Sequence, residues 1–266
     1  MLPINFESYW GIFPLGIIIA TVAMCAGIDG AAFWGPVLLL GFDVQPTVAV
    51  ACGIFVELFG FSSGVYGYAR RKNIVFKIAV PLLLFAIPFS LLGSYVSKML
   101  NPKILTVCMG AGCIFLAVRN IQRAWHIISE RTTADLHIGA RLPGYFLSSI
   151  GGFFTGAIGF GIGETNAYYL LVKNRFPIAY SSGTTVFTIA VTALITSAFN
   201  ILFYRQSIPA DITTLFNVVL FAVPAVIIGG QIGVRLAHIV SRPFFHYSLS
   251  GIFFIIAALS IVRAVK

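Results

Sequence analysis

Long apolar runs separated by short polar gaps make up almost the whole chain. The runs cover about 12–40, 46–68, 74–96 and 102–118, and then 142–172, 177–203, 212–236 and 243–262. Stretches of roughly 20 apolar residues are what an α-helix needs to cross the hydrocarbon of a bilayer, whereas barrel strands would be about ten residues long and alternate in polarity. The pattern therefore predicts an all-α, polytopic, multi-pass membrane protein with the lipid bilayer as its solvent. Pro81 and Pro88 predict kinks in the third run, since proline removes an internal hydrogen bond and clashes with the preceding turn.

Two of the runs are broken near their middles. The breaks are Ala26-Gly27-Ile28-Asp29-Gly30 and Phe160-Gly161-Ile162-Gly163-Glu164, and each places a carboxylate at the interruption. Glycine lets a helix stop and restart because, without Cβ, it visits backbone angles closed to other residues. The two breaks also align the halves of the chain. Gly-Ile-Asp-Gly at 27–30 matches Gly-Ile-Gly-Glu at 161–164, and Pro46 and Pro177 each reopen the next helix. Cys52-Gly53 then corresponds to Ser182-Gly183, and 93–102 parallels 233–243. These matches fall in one order and predict two homologous halves, each a broken helix plus three transmembrane helices. The first repeat is 1–124, the second is 142–266, and a polar linker of 125–141 joins them.

Only 9% of residues are charged against 59% hydrophobic, and the mean hydropathy is +0.97, far from the composition of soluble domains. The net charge of +9 would suit nucleic acid, but the basic residues sit in the gaps between apolar runs, where orientation signals belong. Nucleic-acid binding is therefore not expected. Cys25, Cys52, Cys108 and Cys113 all lie within apolar runs without metal-type spacing and read as small core residues. His126 and His137 fall in the linker with no third ligand near them in sequence, so neither a metal nor a cofactor is predicted. No Lys or Arg precedes the first run, so the amino-terminal segment is expected to stay on the mature protein rather than act as a cleaved signal.

Loop charge bears on topology, because cytoplasmic loops are enriched in Lys and Arg. If both broken runs enter the membrane and return, six spans remain and the 17 basic residues divide 12 against 5; eight full spans divide them 11 against 6. The loop after the second run holds Arg70, Arg71, Lys72 and Lys77, while its counterpart after the sixth holds only Arg205. The loop after the first run has no basic residue and that after the fifth has Lys173 and Arg175. Opposite bias at equivalent places favours re-entrant helices and inverted repeats with a cytoplasmic linker, with eight spans as the alternative.

A helix that restarts at mid-membrane leaves its first N–H groups unpaired and carries partial positive charge there, which suits an anion. Interrupted segments in corresponding halves point to a transporter's binding site. The candidate substrate-binding residues are Gly27, Gly30, Ala31, Gly161, Gly163, Thr165, Asn166 and Ser182, with Ala32 as a further backbone donor. No Lys or Arg lies in the middle of an apolar run, so the backbone would supply the positive end. Asp29, Glu164 and, one span later, Glu57 are candidate coupling residues able to take up a proton or hold a cation, or else helix caps. Tyr168 and Tyr169 read as packing aromatics. The small residues of the later helices suggest a homodimer.

The order of a glycine-rich break, a proline-initiated helix with a small polar opening, and the helix end Gly229-Gly230-Gln231-Ile232-Gly233-Val234-Arg235-Leu236 resembles the TauE/SafE sulfite exporter family, also called the 4-toluene sulfonate uptake permeases. The similarity covers about 11–262 and appears in both halves. It implies a carrier in a bacterial inner membrane for a small sulfur-containing anion such as sulfite, sulfoacetate, taurine or a related organosulfonate. The family's glycine breaks map onto Gly27, Gly30, Gly161 and Gly163, and Asp29 and Glu164 depart from the glycine-only form. No phosphate-cradling loop is present, so ATP hydrolysis within this chain is not expected. Two other readings compete: an intramembrane enzyme with Asp29 and Glu164 as an acid–base pair, and an anion channel.

Overall fold

The computed structural model describes residues 9–26, 28–125, 142–204, 209–236 and 242–265. All regular structure among them is helical. Helices α1 (Ile12–Ala26), α2 (Ala31–Gly41), α3 (Pro46–Arg70), α4 (Phe76–Met99) and α5 (Pro102–Trp125) form the first half. The second half holds α6 (Leu142–Ile158), α7 (Ile162–Ala167) continued by a π-helical turn over Tyr168–Lys173, α8 (Ile178–Tyr204), α9 (Pro209–Leu236) and α10 (Arg242–Val265). Gly27, the histidines of the linker and Arg205 lie outside the described residues.

Local sequence accounts for these boundaries. Pro46 opens α3, where its fixed φ and missing N–H cost nothing. Lys72, at φ 57°, turns the chain after α3. Helix α4 continues through both Pro81 and Pro88. Helices α3, α4, α5, α8, α9 and α10 are long and apolar enough to cross a membrane. By contrast, the 15 residues of α1 and 11 of α2 rise only about 22 and 16 Å, short of a hydrocarbon core of about 30 Å.

Each broken run folds back on itself. Tyr9, before α1, stacks on Phe42, after α2, with ring centroids 5.9 Å apart and planes 7° from parallel. In the second half the Tyr169 ring lies 2.6 Å from where a Cβ would sit on Gly144, in the first turn of α6. A helix running straight on would separate either pair by roughly 35–50 Å. Both broken runs are therefore hairpins with their tips at 28–30 and 159–161.

The remaining contacts sort the helix ends onto two faces. On one, Asp43 is ion-paired with Arg263 and shares a groove with Pro102 and Lys103. On the other, the Val75 N–H donates to Thr184 Oγ1 at 3.0 Å, and the Arg119 guanidinium lies 4.3 Å from the Tyr168 ring centroid.

The halves interleave. Helix α1 packs along α9 of the other half and α6 along α4, while α3 pairs with α8 and α5 with α10. Small residues allow the first two pairs to approach closely. A Cβ on Gly152 or Gly156 of α6 would run into the Ala86 or Ser90 carbonyl of α4, and one on Gly229 or Gly233 of α9 into the Ile17 or Thr21 carbonyl of α1. Trp34 is fully buried at the centre, and Phe33 stacks on Phe253 with centroids 4.8 Å apart. Leu84, Phe115 and Ile255 are exposed on the periphery, as a lipid-facing surface requires.

Candidate functional site

The two hairpin tips meet in the interior. Helix α7 starts at Ile162, so the N–H groups of Gly161, Ile162 and Gly163 have no acceptor within their own helix. Side chains satisfy all three. Asp29, from the opposite hairpin, accepts from Gly161 at 2.6 Å and Gly163 at 3.1 Å through Oδ2. Thr155, on the arm leading to the tip, accepts from Ile162 at 2.9 Å through Oγ1. The approach depends on glycine: Gly159 and Gly161 have φ of +97° and +146°, and a Cβ on Gly163 would overlap the Asp29 carboxylate.

The other tip is capped in the same way. The Ala31 N–H donates to Glu57 Oε1 at 3.3 Å, and the Gly30 N–H faces the same carboxyl. Asp29, Glu57 and Glu164 are at most 3% exposed, and both Asp29 and Glu164 act electrostatically on Glu57. Glu57 Oε2 has no hydrogen-bond partner among the described residues. A cavity of ≈ 20 Å³, room for one water, lies against Glu57, Gly30, Met24, Phe61 and Val226. Next to the second tip, Asn166 Nδ2 donates to Thr188 Oγ1 at 3.0 Å, and the Thr188 hydroxyl donates to the Thr185 carbonyl at 2.8 Å. No group of three His, Cys, Asp or Glu side chains among the described residues could hold a metal ion.

Residues 12–261, nearly the whole chain and both hairpins, match the family model described as "Sulfite exporter TauE/SafE". The chain belongs to the TauE/SafE family. It is thus a membrane transporter and not an enzyme. It is 25% identical over 244 residues to the "Probable membrane transporter protein YunE" of Bacillus subtilis, covering 84% of this chain and 86% of that one. A second protein of the same organism, the "Probable membrane transporter protein YdhB", is 26% identical over 183 residues, 68% of this chain and 73% of its own. No solved structure matches.

Within this TauE/SafE chain the structure brings Gly30, Ala31, Gly161 and Gly163 together with Asp29, Glu57, Glu164 and Asn166. Gly27 lies outside the described residues. Thr165 does not offer a free N–H: α7 begins early enough that this group already bonds to the Gly161 carbonyl at 3.0 Å, and its hydroxyl reaches the same oxygen at 3.1 Å. The Ala32 N–H turns to the Asp29 carbonyl at 3.3 Å. Asn166 contributes its side chain rather than its backbone. Ser182 stands in the first turns of α8, about 9 Å along the helix from Thr188, next to Gly183, which packs on Asn73. Tyr169 is buried and packs as expected. Cys52 and Cys113 are buried, but Cys108 is exposed on the outside of the bundle and is not a core residue. Sequence reasoning missed Thr155 and Thr188. The hydroxyl spacing along 181–196 was the available signal for Thr188; Thr155 had none beyond its place seven residues before Ile162.

Proposed function

We propose that this transporter is a secondary carrier for a small sulfur-containing anion, such as sulfite or an organosulfonate, seated on the N–H groups at the hairpin tips. One observation carries the reading: Asp29, a carboxylate from one hairpin, sits on the Gly161 and Gly163 N–H groups of the other. Donors that hold a carboxylate oxygen at 2.6 and 3.1 Å can hold a sulfite or sulfonate oxygen in its place. Substrate entry then requires Asp29 to leave, and proton uptake by Asp29, with Glu57 and Glu164 nearby, weakens its hold and couples the two events. No Lys or Arg is present at the tips to bind the anion instead.

The hairpins act as re-entrant elements that reach the interior from opposite faces. The exchange of partners between halves, α1 with α9 and α6 with α4, supports an inverted repeat. The face holding Arg70, Lys173 and the linker is cytoplasmic, and the membrane is a bacterial inner membrane. The test is flux in proteoliposomes. Labelled sulfite, sulfoacetate or taurine should enter chemically unchanged and faster than into protein-free vesicles, and failure of all three under gradients of either direction would overturn the reading.

A further inference from the structure

Helix α8 carries a polar stripe that the tips do not use up. Ser181, Thr185, Thr188, Thr192, Thr196 and Asn200 recur at three- and four-residue spacing and so share one face of the helix. All are at most 4% exposed. Toward one end the stripe meets a matching row on α4: Ser90 shares a hydrogen bond with Thr196 at 3.0 Å, and Ser94 donates to Asn200 Oδ1 at 2.6 Å. Lys98 lies one turn further along α4, half-buried, with its ammonium 4.7 Å from the centroid of Phe199 on α8.

Hydroxyls in membrane helices commonly tie helices together, and the Ser90–Thr196 and Ser94–Asn200 pairs do so. Ser181, Thr185 and Thr192 do not. Their hydroxyls are buried without a hydrogen-bond partner among the described residues. A valine would fill the same space as Thr192 without that penalty. The chemistry is also one-sided. From Thr188 to Lys98 the seam offers hydroxyls, one amide and one ammonium, and none of these side chains is acidic. Groups of this kind solvate a small hydrogen-bond-accepting anion, and a cation on the same path would have to approach the Lys98 ammonium.

We propose that the seam between α4 and α8 is the passage by which a small oxyanion travels between the hairpin tips and the face bearing Lys98. The proposal narrows the anion-carrier reading to one wall of the path, with Thr192 as the hydroxyl that the passing anion meets midway. In the closed packing seen here, that hydroxyl waits for the anion or the water that accompanies it.

The test uses the full chain in lipid nanodiscs with the sulfonatoethyl methanethiosulfonate anion as probe. Peptide mass mapping locates the modified residue, so the four native cysteines stay in place. Thr192→Cys and Thr196→Cys should react at least about tenfold faster than Leu194→Cys, which faces lipid, where a charged reagent is excluded. The trimethylammonium analogue, normalised to its rate with a free thiol, should react more slowly than the anion at Thr192→Cys, and Lys98→Gln should erase that preference. Reaction at a Lys103→Cys control with none at Thr192→Cys or Thr196→Cys, or equal reaction at Thr192→Cys and Leu194→Cys, overturns the passage. Thr192→Val supplies an independent reading. It should leave the melting temperature unchanged or higher while slowing sulfite flux about tenfold, the loss of one hydrogen bond to the moving anion; wild-type flux in this variant sinks the proposal. If the wild-type chain moves none of sulfite, sulfoacetate and taurine, the carrier reading fails, and the labelling pattern still decides the seam.

Discussion

Asp29 reaches from one hairpin to the other, and its carboxylate, rather than a neighbouring backbone group, completes the first turn of α7. Glu57 does the same for α2 from within α3. Both acids therefore serve a structural need, and in the proposed function Asp29 also stands where the anion would bind. Asp29→Asn separates the two roles, because the amide oxygen can still accept from Gly161 and Gly163 but cannot release or take a proton. We expect this variant to keep substrate counterflow within about threefold of wild type, the two neutral bonds being weaker than charge-assisted ones, and to lose accumulation driven by a pH gradient. Normal accumulation would leave Asp29 as a cap alone. The sequence showed which residues are at the tips, because a glycine cluster that carries a carboxylate inside an apolar run stands out where the glycines of 151–156 and 229–233 do not. It did not show the pairing of Asp29 with Gly161, 132 positions away, or of Glu57 with Ala31. The choice of acceptor for a free N–H is set by tertiary packing, and for the same reason the donors in the second half proved to be Gly161 and Gly163 instead of Thr165 and Asn166.

Among the helices, the hairpin arms and their partners are held by backbone-to-backbone approach. Gly156 faces the Ser90 carbonyl with no room for a methyl group, whereas Gly251 on α10 has nothing within 4 Å of its Cβ position. Gly156→Ala should therefore destabilise the chain by about 1–3 kcal/mol through overpacking. Gly251→Ala should be neutral or slightly stabilising, since alanine is the better helix former. Thermal unfolding of both variants in one detergent checks the contrast, and equal melting temperatures would contradict the close approach of α4 and α6. All six crossing helices were legible from apolar runs of the right length, as was the place where each broken run stops. The return path showed only in the charge of the flanking loops, because the composition of the run itself is the same whether it bends or continues. The π-helical turn after α7 left no signal, since Tyr-Tyr-Leu-Leu-Val-Lys is equally compatible with an ordinary helix.

For the whole molecule, the six long helices and two hairpins bring the start of α1 and the end of α10 to the face of Asp43, Lys103 and Arg263, opposite the end of α5 and the start of α6. In the proposed re-entrant topology, the 12 against 5 division of basic residues puts that face on the outside. A reporter fused after Lys266 that is active only outside the cytoplasm should be active, and its cytoplasm-specific counterpart silent; the reverse would favour eight spans. The interleaved halves also have a consequence for how the protein is made. When the ribosome reaches the linker, α1 is already in the membrane, but the helix that covers its Ile17 and Thr21 carbonyls is still unsynthesised. The first five helices must wait in the bilayer as an open clasp, and they close only when α9, two crossings from the end, slides into the slot kept for it.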